Sequence, residues 1–202
     1  MNQKDRMLCG LPYKAWLDGL EDEREACKRK VYALNMLPPE ERDRIPELLK
    51  DLFGRTGDNV WLEPPFHCDY GWNIEVGENF FANYGLTILD VGKVTIGKNA
   101  QIAPNVSIYT AGHPIHPDSR NSGYEYGLPI TIGDNVWIGG NAVILPGVVI
   151  GDNAVIGAGS VVTKNIPSNC IAAGNPCRVI REITDEDRMY YYKDREFDVD
   201  DY

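Results

Sequence analysis

The sequence predicts a mainly β protein in which short parallel strands coil into a triangular β-helix, and three observations support this fold class. Six aliphatic residues recur at intervals of six: Ile132, Ile138, Ile144, Ile150, Ile156 and Val162. A small or β-branched residue stands four positions after each of the first five, and a glycine directly follows four of them. An α-helix repeats about every 3.6 residues and a flat strand about every 2, so neither explains this spacing. A prism that carries one hexapeptide on each of three sides explains it, with the repeating aliphatic pointing inward.

The same period continues upstream of this stretch. Two further runs have the spacing: Ile96, Ile102 and Ile108, and a looser run formed by Ile74, Phe80 and Leu86. We expect the glycines that follow the repeating aliphatics to supply the backbone angles of the corners. The period stops between Ile108 and Ile132, and this gap contains His113 and His116. Insertions into solenoids form loops on a rigid scaffold, so we predict a binding loop near 110–129.

Residues 1–55 have a different pattern, which predicts a helical cap. A first helix is predicted over 18–35 and a second over 39–53, each with apolar residues on one face, and Gly54 suits the position just past the second. An open end of the coil would expose apolar side chains and strand edges, which a cap covers. A minor additional role in closing over a substrate stays open. The β-helix is predicted over 56–182, and residues 183–202 are predicted as a short helical segment and an acidic tail.

The first coil is predicted to be irregular, because Pro64 and Pro65 break any helix between β-rich flanks. His67 and Cys68 are adjacent, which raises the question of a metal site. No second pair of metal-ligating residues follows at a ligand spacing, so we expect both residues to be structural.

Composition and charge exclude several classes of function. The 202 residues carry a formal net charge of -10, which argues against nucleic-acid binding. No apolar run follows Met1 and no stretch is long enough to cross a membrane, so we expect no signal peptide and no membrane partner. The five cysteines form no CxxC motif, and we expect free thiols in a reducing cytoplasm.

Three motifs carry a resemblance to a known family: FFANYGLTILD at 80–90, IAPNVSIYTAGHPIHP at 102–117, and AAGNPCRVIRE at 172–182. Together with the repeat at 130–164, they resemble the galactoside and maltose O-acetyltransferases, which are hexapeptide-repeat acyltransferases. The resemblance implies a left-handed parallel β-helix, since the period alone does not give the handedness. It implies a homotrimer with active sites between subunits. It also implies transfer of an acetyl group from acetyl-coenzyme A to a hydroxyl group of a sugar or glycoside, with no metal required.

The resemblance also implies roles for individual residues near the acceptor. His113 matches the general base that takes the proton of the acceptor hydroxyl, and histidine suits this task near neutral pH. Asn83 matches a residue that stabilises the developing oxyanion and also contacts the acceptor. An inward asparagine ladder is the structural alternative for Asn83. The acceptor-binding set that the resemblance implies is Asp69, Asn83, Asp90, His116 and Glu125, although Asp90 has the alternative role of closing a corner hydrogen bond.

Coenzyme A needs a groove for its extended arm and cations for its phosphates. The residues implied along the arm are Trp137, Gly140 and Ala158, of which the small ones allow close backbone approach. Those implied at the phosphate end are Thr163, Lys164, Arg178 and Arg181. Ordinary surface charge is the alternative interpretation of the three cations.

The sequence departs from the galactoside enzyme near the acceptor, at Ala15, Val91 and Glu125, so the identity of the acceptor stays open. An enzyme of the same fold that acetylates antibiotics is one alternative. A non-catalytic or metal-binding structural β-helix is another. The metal-binding group of that kind uses three histidines, and His67, His113 and His116 do not have the corresponding spacing.

Overall fold

A computed structural model describes residues 1–201 of the chain; Tyr202, the last residue of the predicted tail, lies outside the described residues. The predicted parallel β-helix is confirmed, with five complete coils of three short strands each. The coils are β1 (Arg55–Thr56), β2 (Trp61–Leu62) and β3 (His67–Cys68); β4 (Ile74–Val76), β5 (Phe81–Ala82) and β6 (Thr87–Leu89); β7 (Val94–Ile96), β8 (Gln101–Ile102) and β9 (Ser107–Tyr109); β12 (Ile130–Ile132), β13 (Trp137–Ile138) and β14 (Val143–Ile144); and β15 (Val149–Ile150), β16 (Val155–Ile156) and β17 (Val161–Val162).

Each coil contributes one strand to each of three parallel sheets, which form the sides of the prism. A sixth coil begins where Ile166 bridges to Ile150 and β18 (Cys170–Ala173) pairs with β16. The repeating aliphatics are buried inside the prism, as the period predicted. Fully burying an aliphatic side chain of this size stabilises a fold by about 1.5–3 kcal/mol, so the repeated positions supply most of the driving force.

The phase of the looser run is wrong. The strand register aligns Val76 with Ile96, Ala82 with Ile102 and Ile88 with Ile108, so these three hold the repeating position. Phe80 and Leu86 stand four positions after a repeating residue instead. Both sets are buried because both positions face inward, and the pattern alone therefore fits either phase.

The role predicted for the glycines after the aliphatics is also wrong. The left-handed corner angles lie two residues further on, for example at Asn135 with φ 56° and Asn153 with φ 59°. Gly139 and Gly151 are needed for space, because a Cβ on either would lie 2.5 Å from a backbone nitrogen of the next coil. Contacts that short do not occur, so these glycines set how closely the coils stack.

Asparagines at one corner form a hydrogen-bonded ladder along the outside of the prism. Side-chain amides link each rung to the next at 2.7–3.2 Å. The rungs are Asn59, Asn79, Asn99, Asn135, Asn153 and Asn169. Asparagine tolerates the left-handed conformation better than most residues, which explains its use here. Asn83 is not part of this ladder.

The N-terminal segment forms helices that pack on the first coils. These are α1 (Gln3–Leu8), α2 (Leu20–Asn35), a 3-10 helix (Pro39–Arg44) and α3 (Ile45–Leu52). The apolar faces of α2 and α3 join the same buried cluster as the prism interior. Gly54 follows Phe53, the extended C-cap residue of α3, as its predicted position past the helix requires, but it does not have the left-handed conformation common there. A Cβ on Gly54 would lie 2.1 Å from the Trp72 carbonyl oxygen, so close packing explains this glycine.

The C-terminal segment contains more strand than the sequence predicted. β18 turns back into the antiparallel strand β19 (Arg178–Glu182), and β20 (Tyr190–Tyr192) pairs with β21 (Arg195–Glu196). The short helix is one 3-10 turn at Asp185–Arg188, capped by Thr184. Among residues 1–201, no helix is long and apolar enough to cross a membrane.

Candidate active site

An insertion between the third and fourth coils carries the two histidines predicted near the reaction. It contains β10 (Ala111–Gly112), α4 (Pro117–Asn121) and β11 (Tyr126–Gly127), and β10 pairs antiparallel with β11. His113 directly follows β10, and its side chain is 58% exposed. Its Nε2 lies 4.0 Å from Oε2 of Glu125, which precedes β11. The hairpin thus brings together the predicted base and one predicted acceptor-binding residue.

The N-terminal segment contributes Tyr13, which the sequence analysis missed. The backbone N–H of Tyr13 donates to the Glu125 carbonyl at 2.9 Å, and the N–H of Glu125 donates back at 3.0 Å. The Tyr13 hydroxyl donates to Oε1 of Glu125. Burial, and then the hydrogen bond and charge of Glu125, raise the pKa of Tyr13 well above its usual range. No local pattern pointed to this pairing, because 112 residues separate the partners.

Asp69 lies close to this group and is partly buried. Burial is the largest cause that raises the pKa of its carboxyl, and the charge of Glu125 adds to it while Arg24 opposes it. The Arg24 guanidinium donates to the Tyr70 hydroxyl and to the Ala15 carbonyl, both at 2.7 Å. Asp69 therefore faces the same region as Glu125, which is consistent with its predicted place beside an acceptor.

Asp90 has the corner role that the sequence left as an alternative. Its side chain is 0% exposed, and its Oδ1 accepts the backbone N–H of Asp69 at 2.9 Å and of Tyr70 at 3.0 Å. Its Oδ2 accepts no hydrogen bond from a described residue. The prediction that Asp90 touches the acceptor is not supported, because protein atoms cover it completely.

Asn83 follows β5 at a corner and is half-buried. Its Oδ1 accepts the backbone N–H of Tyr84 at 2.8 Å, which fixes the side-chain amide. The amide N–H groups of Asn83 donate to no described residue. An oriented donor of this kind is what a developing oxyanion requires.

His116 is the N-cap of the short helix α4. It precedes α4, and its Nδ1 accepts the backbone N–H of Asp118 at 3.3 Å. The side chain is 69% exposed. The structure therefore gives His116 a local structural role, and its acceptor contact stays a prediction.

The predicted groove for the coenzyme A arm lies on neighbouring coils. Gly140 follows β13 and Ala158 follows β16, and the N–H of Gly159 donates to the Gly140 carbonyl at 2.8 Å. A Cβ on Gly140 would lie 3.2 Å from the Pro104 carbonyl oxygen, so the backbone is close to its neighbour there. Trp137 is exposed at the start of this path. Small residues with exposed backbone beside an indole fit an extended, partly apolar arm.

The cations predicted for the phosphates fall into two groups. Thr163 and Lys164 follow β17, and the N–H of Cys177 donates to Val161 at 2.9 Å, which brings Arg178 to the same end of the prism. Lys164 and Arg178 are exposed and form no ion pair with a described residue. Arg181 differs, because its guanidinium donates two hydrogen bonds to the Asp187 carboxylate at 2.6 and 2.8 Å. This pairing lowers the pKa of Asp187 to about 2, so the Arg181 guanidinium is already engaged within the chain, and its phosphate contact stays a prediction.

No hydrogen bond or ion pair between described residues joins the His113 insertion to the predicted coenzyme groove. Within residues 1–201, no group of three or more His, Cys, Asp or Glu side chains could hold a metal ion. His67 is exposed and lies away from the other two histidines in the sequence, while Cys68 contacts Cys27 with 3.5 Å between the sulfur atoms.

Comparison with known proteins identifies similar sequences and structures. The family profile described as bacterial transferase hexapeptide (six repeats) matches residues 129–164, and that described as maltose acetyltransferase hexapeptide capping motif matches residues 6–57. Galactoside O-acetyltransferase of Escherichia coli (strain K12) is 50% identical over 194 residues, which cover 96% of each chain.

Two solved structures are similar over almost their whole length. A galactoside acetyltransferase in complex with coenzyme A has a TM-score of 0.96 and 49% identity, covering 98% of this chain and 100% of that one. A maltose O-acetyltransferase from Clostridium difficile 630 has a TM-score of 0.90 and 54% identity, covering 92% of this chain and 99% of that one.

Proposed function

This chain belongs to the family of the galactoside and maltose O-acetyltransferases, and we propose that it transfers an acetyl group from acetyl-coenzyme A to a hydroxyl group of a sugar or glycoside. Family membership confirms the resemblance predicted from the sequence. One observation carries the proposal for the site. An exposed imidazole, His113, stands on the insertion that interrupts the rigid coils between β9 and β12, beside the carboxylate of Glu125.

His113 acts as the general base in the proposed reaction. A neutral hydroxyl group attacks a thioester slowly, because its proton must leave as the new bond forms. An imidazole nitrogen can take that proton near neutral pH. The exposure of His113 leaves its ring accessible to an acceptor, and the β10–β11 hairpin fixes the backbone on which it stands.

Asn83 stabilises the charge that develops on the carbonyl oxygen. The bond from the Tyr84 N–H holds its amide in one orientation, and the two amide hydrogens stay available. A preorganised donor does not have to reorient during the reaction, which is why such groups lower the barrier. In this proposal the acetyl group passes directly to the acceptor, without a covalent intermediate on the protein.

Bound acetyl-coenzyme A supplies the acetyl group as an activated thioester. The residues that fit it are Trp137, Gly140 and Ala158 along the arm and Thr163, Lys164 and Arg178 at the phosphates. Close backbone approach at Gly140 supports this assignment, and so do Lys164 and Arg178, which form no ion pair with a described residue.

We further propose that the active site forms between subunits of a homotrimer. In this proposal a neighbouring copy brings its coenzyme-binding residues to the His113 insertion, and no hydrogen bond or ion pair within residues 1–201 joins these two parts of one chain. We also retain the division into a cap (1–55), a β-helix (56–182) and a tail (183–202), the left-handed coil and the cytoplasmic location as proposals.

The substitution His113→Ala tests the proposed function most directly. Turnover should fall by roughly 10²–10⁴-fold, the usual contribution of a positioned acid–base group, while acetyl-coenzyme A affinity and the melting temperature change little. The acid limb of the pH–rate profile should disappear, whereas Asn83→Ala should lower turnover and keep that limb. His116→Ala is the matched control on the same insertion and should have a small effect. Near-normal turnover in His113→Ala, or greater damage from His116→Ala, would show that the base is assigned wrongly.

A further inference from the structure

We propose that Tyr13 is a positioning residue of the acceptor site, because it holds the Glu125 carboxylate beside His113. Glu125 and His113 then bind neighbouring hydroxyl groups of an uncharged acceptor. This inference rests on the proposed function, because it assumes that His113 faces the acceptor. It adds a residue from the N-terminal segment and restricts the chemical class of the acceptor.

The first argument is the geometry of the Glu125 carboxylate. Its Oε1 accepts the hydrogen bond of the Tyr13 hydroxyl, and its Oε2 lies 4.0 Å from Nε2 of His113. Glu125 forms no ion pair with a lysine or arginine among the described residues. The phenol and the imidazole are therefore the two groups that define where this carboxylate lies. A hydroxyl that donates to a carboxylate makes one of the stronger hydrogen bonds in proteins, which suits it to this task.

The second argument is that Tyr13 itself cannot move easily. Its side chain is 0% exposed and packs in a small cluster with Met7, Leu20, Tyr70 and Val91. Two backbone hydrogen bonds pair Tyr13 with Glu125, as in a short antiparallel ladder. The side-chain bond is therefore made between two residues whose backbones are already fixed together.

Further hydrogen bonds and a side-chain contact hold the segment around Tyr13 in place. Arg24 donates to the Ala15 carbonyl at 2.7 Å, and Gln3 accepts the backbone N–H of Lys14 at 2.7 Å. Trp16 lies against the insertion so closely that a Cβ on Gly123 would be 2.2 Å from its ring. Residues 13–16 thus form one wall of the region that contains His113.

The distance between Glu125 and His113 indicates what they bind. At 4.0 Å, Oε2 and Nε2 are too far apart for a direct hydrogen bond. Two adjacent hydroxyl groups of an acceptor can therefore donate one hydrogen bond each, one to Oε2 and one to Nε2. Glu125 accepts a hydrogen bond, so it favours a hydroxyl donor. Glu125 and Asp69 place two carboxyl groups here against the one guanidinium of Arg24, which disfavours an acceptor that carries a carboxylate or phosphate near the reacting hydroxyl.

The experiment compares wild type, Tyr13→Phe and Glu125→Gln with a neutral hexose and with the uronic acid of the same sugar. Tyr13→Phe removes one oxygen and keeps the ring in its cluster. We expect the KM for the neutral hexose to rise about 10-fold in each variant, while the KM for acetyl-coenzyme A and the melting temperature stay near wild type. The double variant should be no worse than Glu125→Gln alone, because Tyr13 acts through Glu125. Glu125→Gln should also lower the ratio of kcat/KM for the neutral sugar to kcat/KM for the uronic acid.

Tyr124→Phe is the matched control, because Tyr124 belongs to the same insertion and its hydroxyl bonds to no described residue. It should keep the wild-type KM. Unchanged KM values in both Tyr13→Phe and Glu125→Gln would overturn the inference, and so would additive losses in the double variant. If Tyr13→Phe does not fold, Glu125→Gln must still raise the KM for the neutral hexose and leave the KM for acetyl-coenzyme A unchanged. A wild-type enzyme that acetylates no neutral sugar would refute the proposed function itself, whereas an active wild type with unaffected variants refutes only this inference.

Discussion

At the scale of single residues, burial gives the Asp90 carboxyl a proton affinity unlike that of a surface aspartate. The side chain is 0% exposed, and desolvation raises its pKa from 3.8 to about 6, although the N–H groups of Tyr70 and Asp69 oppose the shift. The folded chain therefore holds this proton more tightly than the unfolded chain. The contribution of Asp90 to stability is fully present below about pH 4 and is lost as the pH rises through about 6.

Asp90→Asn should remove this pH dependence. The amide oxygen can still accept both backbone N–H groups, but the side chain no longer ionises. Relative to wild type, the free energy of unfolding of the variant should therefore improve by up to about 3 kcal/mol between pH 4 and pH 7. Urea unfolding at several pH values measures the difference. Asp58→Asn, at an exposed position, should follow the wild-type curve. If Asp90→Asn and wild type differ in their free energy of unfolding by the same amount at pH 4 and pH 7, burial does not raise the pKa of Asp90.

The basic side chains at the end of the prism differ in whether a carboxylate of the same chain already forms an ion pair with them. Lys164 and Arg178 have no ion pair with a described residue, whereas Arg181 has two hydrogen bonds to Asp187. Lys164→Ala and Arg178→Ala should each weaken binding of coenzyme A about tenfold, since a charged contact is lost. They should leave binding of a truncated pantetheine thioester unchanged.

Arg181→Ala is the control for these variants and should affect both donors little. Titration calorimetry with the two donors gives the comparison. An equal loss for coenzyme A and the truncated donor in Lys164→Ala and Arg178→Ala, or the largest loss in Arg181→Ala, would show that the phosphates bind elsewhere.

At the scale of the elements, the strands are two to five residues long, so neighbouring coils depend on close stacking rather than on strand length. Two kinds of glycine serve this stacking. Gly151 leaves room for the next coil, since a Cβ there would be 2.5 Å from the Ser168 nitrogen. Gly147 instead supplies a left-handed corner, with φ 80°, three residues after an inward aliphatic, which is the offset that Asn135 and Asn153 have at another corner of the prism.

Substitutions at these two glycines should therefore differ. Gly151→Ala should cost about 1–3 kcal/mol of stability, because the added methyl forces backbone apart. Gly147→Asn should change stability by less than about 0.5 kcal/mol, because asparagine tolerates the corner conformation and no close atom opposes it. Thermal unfolding of both variants measures the contrast. A larger loss at Gly147 than at Gly151 would mean that corner angles, and not coil spacing, limit the fold.

At the scale of the whole molecule, large apolar side chains remain exposed on the single chain. Ile115, at the tip of the insertion, is 93% exposed, and Trp137 on the prism is 54% exposed. Exposed side chains of this size commonly mark contact surfaces. Ile115 stands on the insertion and Trp137 stands among the residues proposed to bind coenzyme A, which are the two parts that the proposed trimer would bring together.

Light scattering should therefore give a mass about three times the 22.6 kDa of the chain. Ile115→Asp should lower activity more than it lowers the melting temperature, because a charge at the tip disfavours burial against a neighbour. Ser119→Asp, on the exposed helix of the same insertion, is the control and should retain activity. A stable monomer with full activity would exclude an active site shared between subunits.

The sequence alone determined the coiled architecture, because each hexapeptide repeats the same inward and outward positions within a few residues. It also located the insertion with His113, which interrupts that period. It could not determine the phase of the run from Ile74 to Leu86, because two positions of each hexapeptide face inward and the pattern fits both. It also assigned the corner angles to the glycines that follow the aliphatics, whereas they lie two residues further on, for example at Asn135 and Asn153.

Only the tertiary structure decided which side chains meet at the candidate site. Tyr13 reaches Glu125 across 112 residues, and Asp90 turns its carboxylate toward the backbone of the preceding coil. No sequence pattern indicates that Arg181 is paired, yet its guanidinium donates a hydrogen bond to the Asp187 carboxylate. These contacts depend on the stacking of coils and on the docking of the N-terminal segment. The spacing of residues in the sequence predicts which face of an element a residue occupies. It does not predict which distant residue will contact that face.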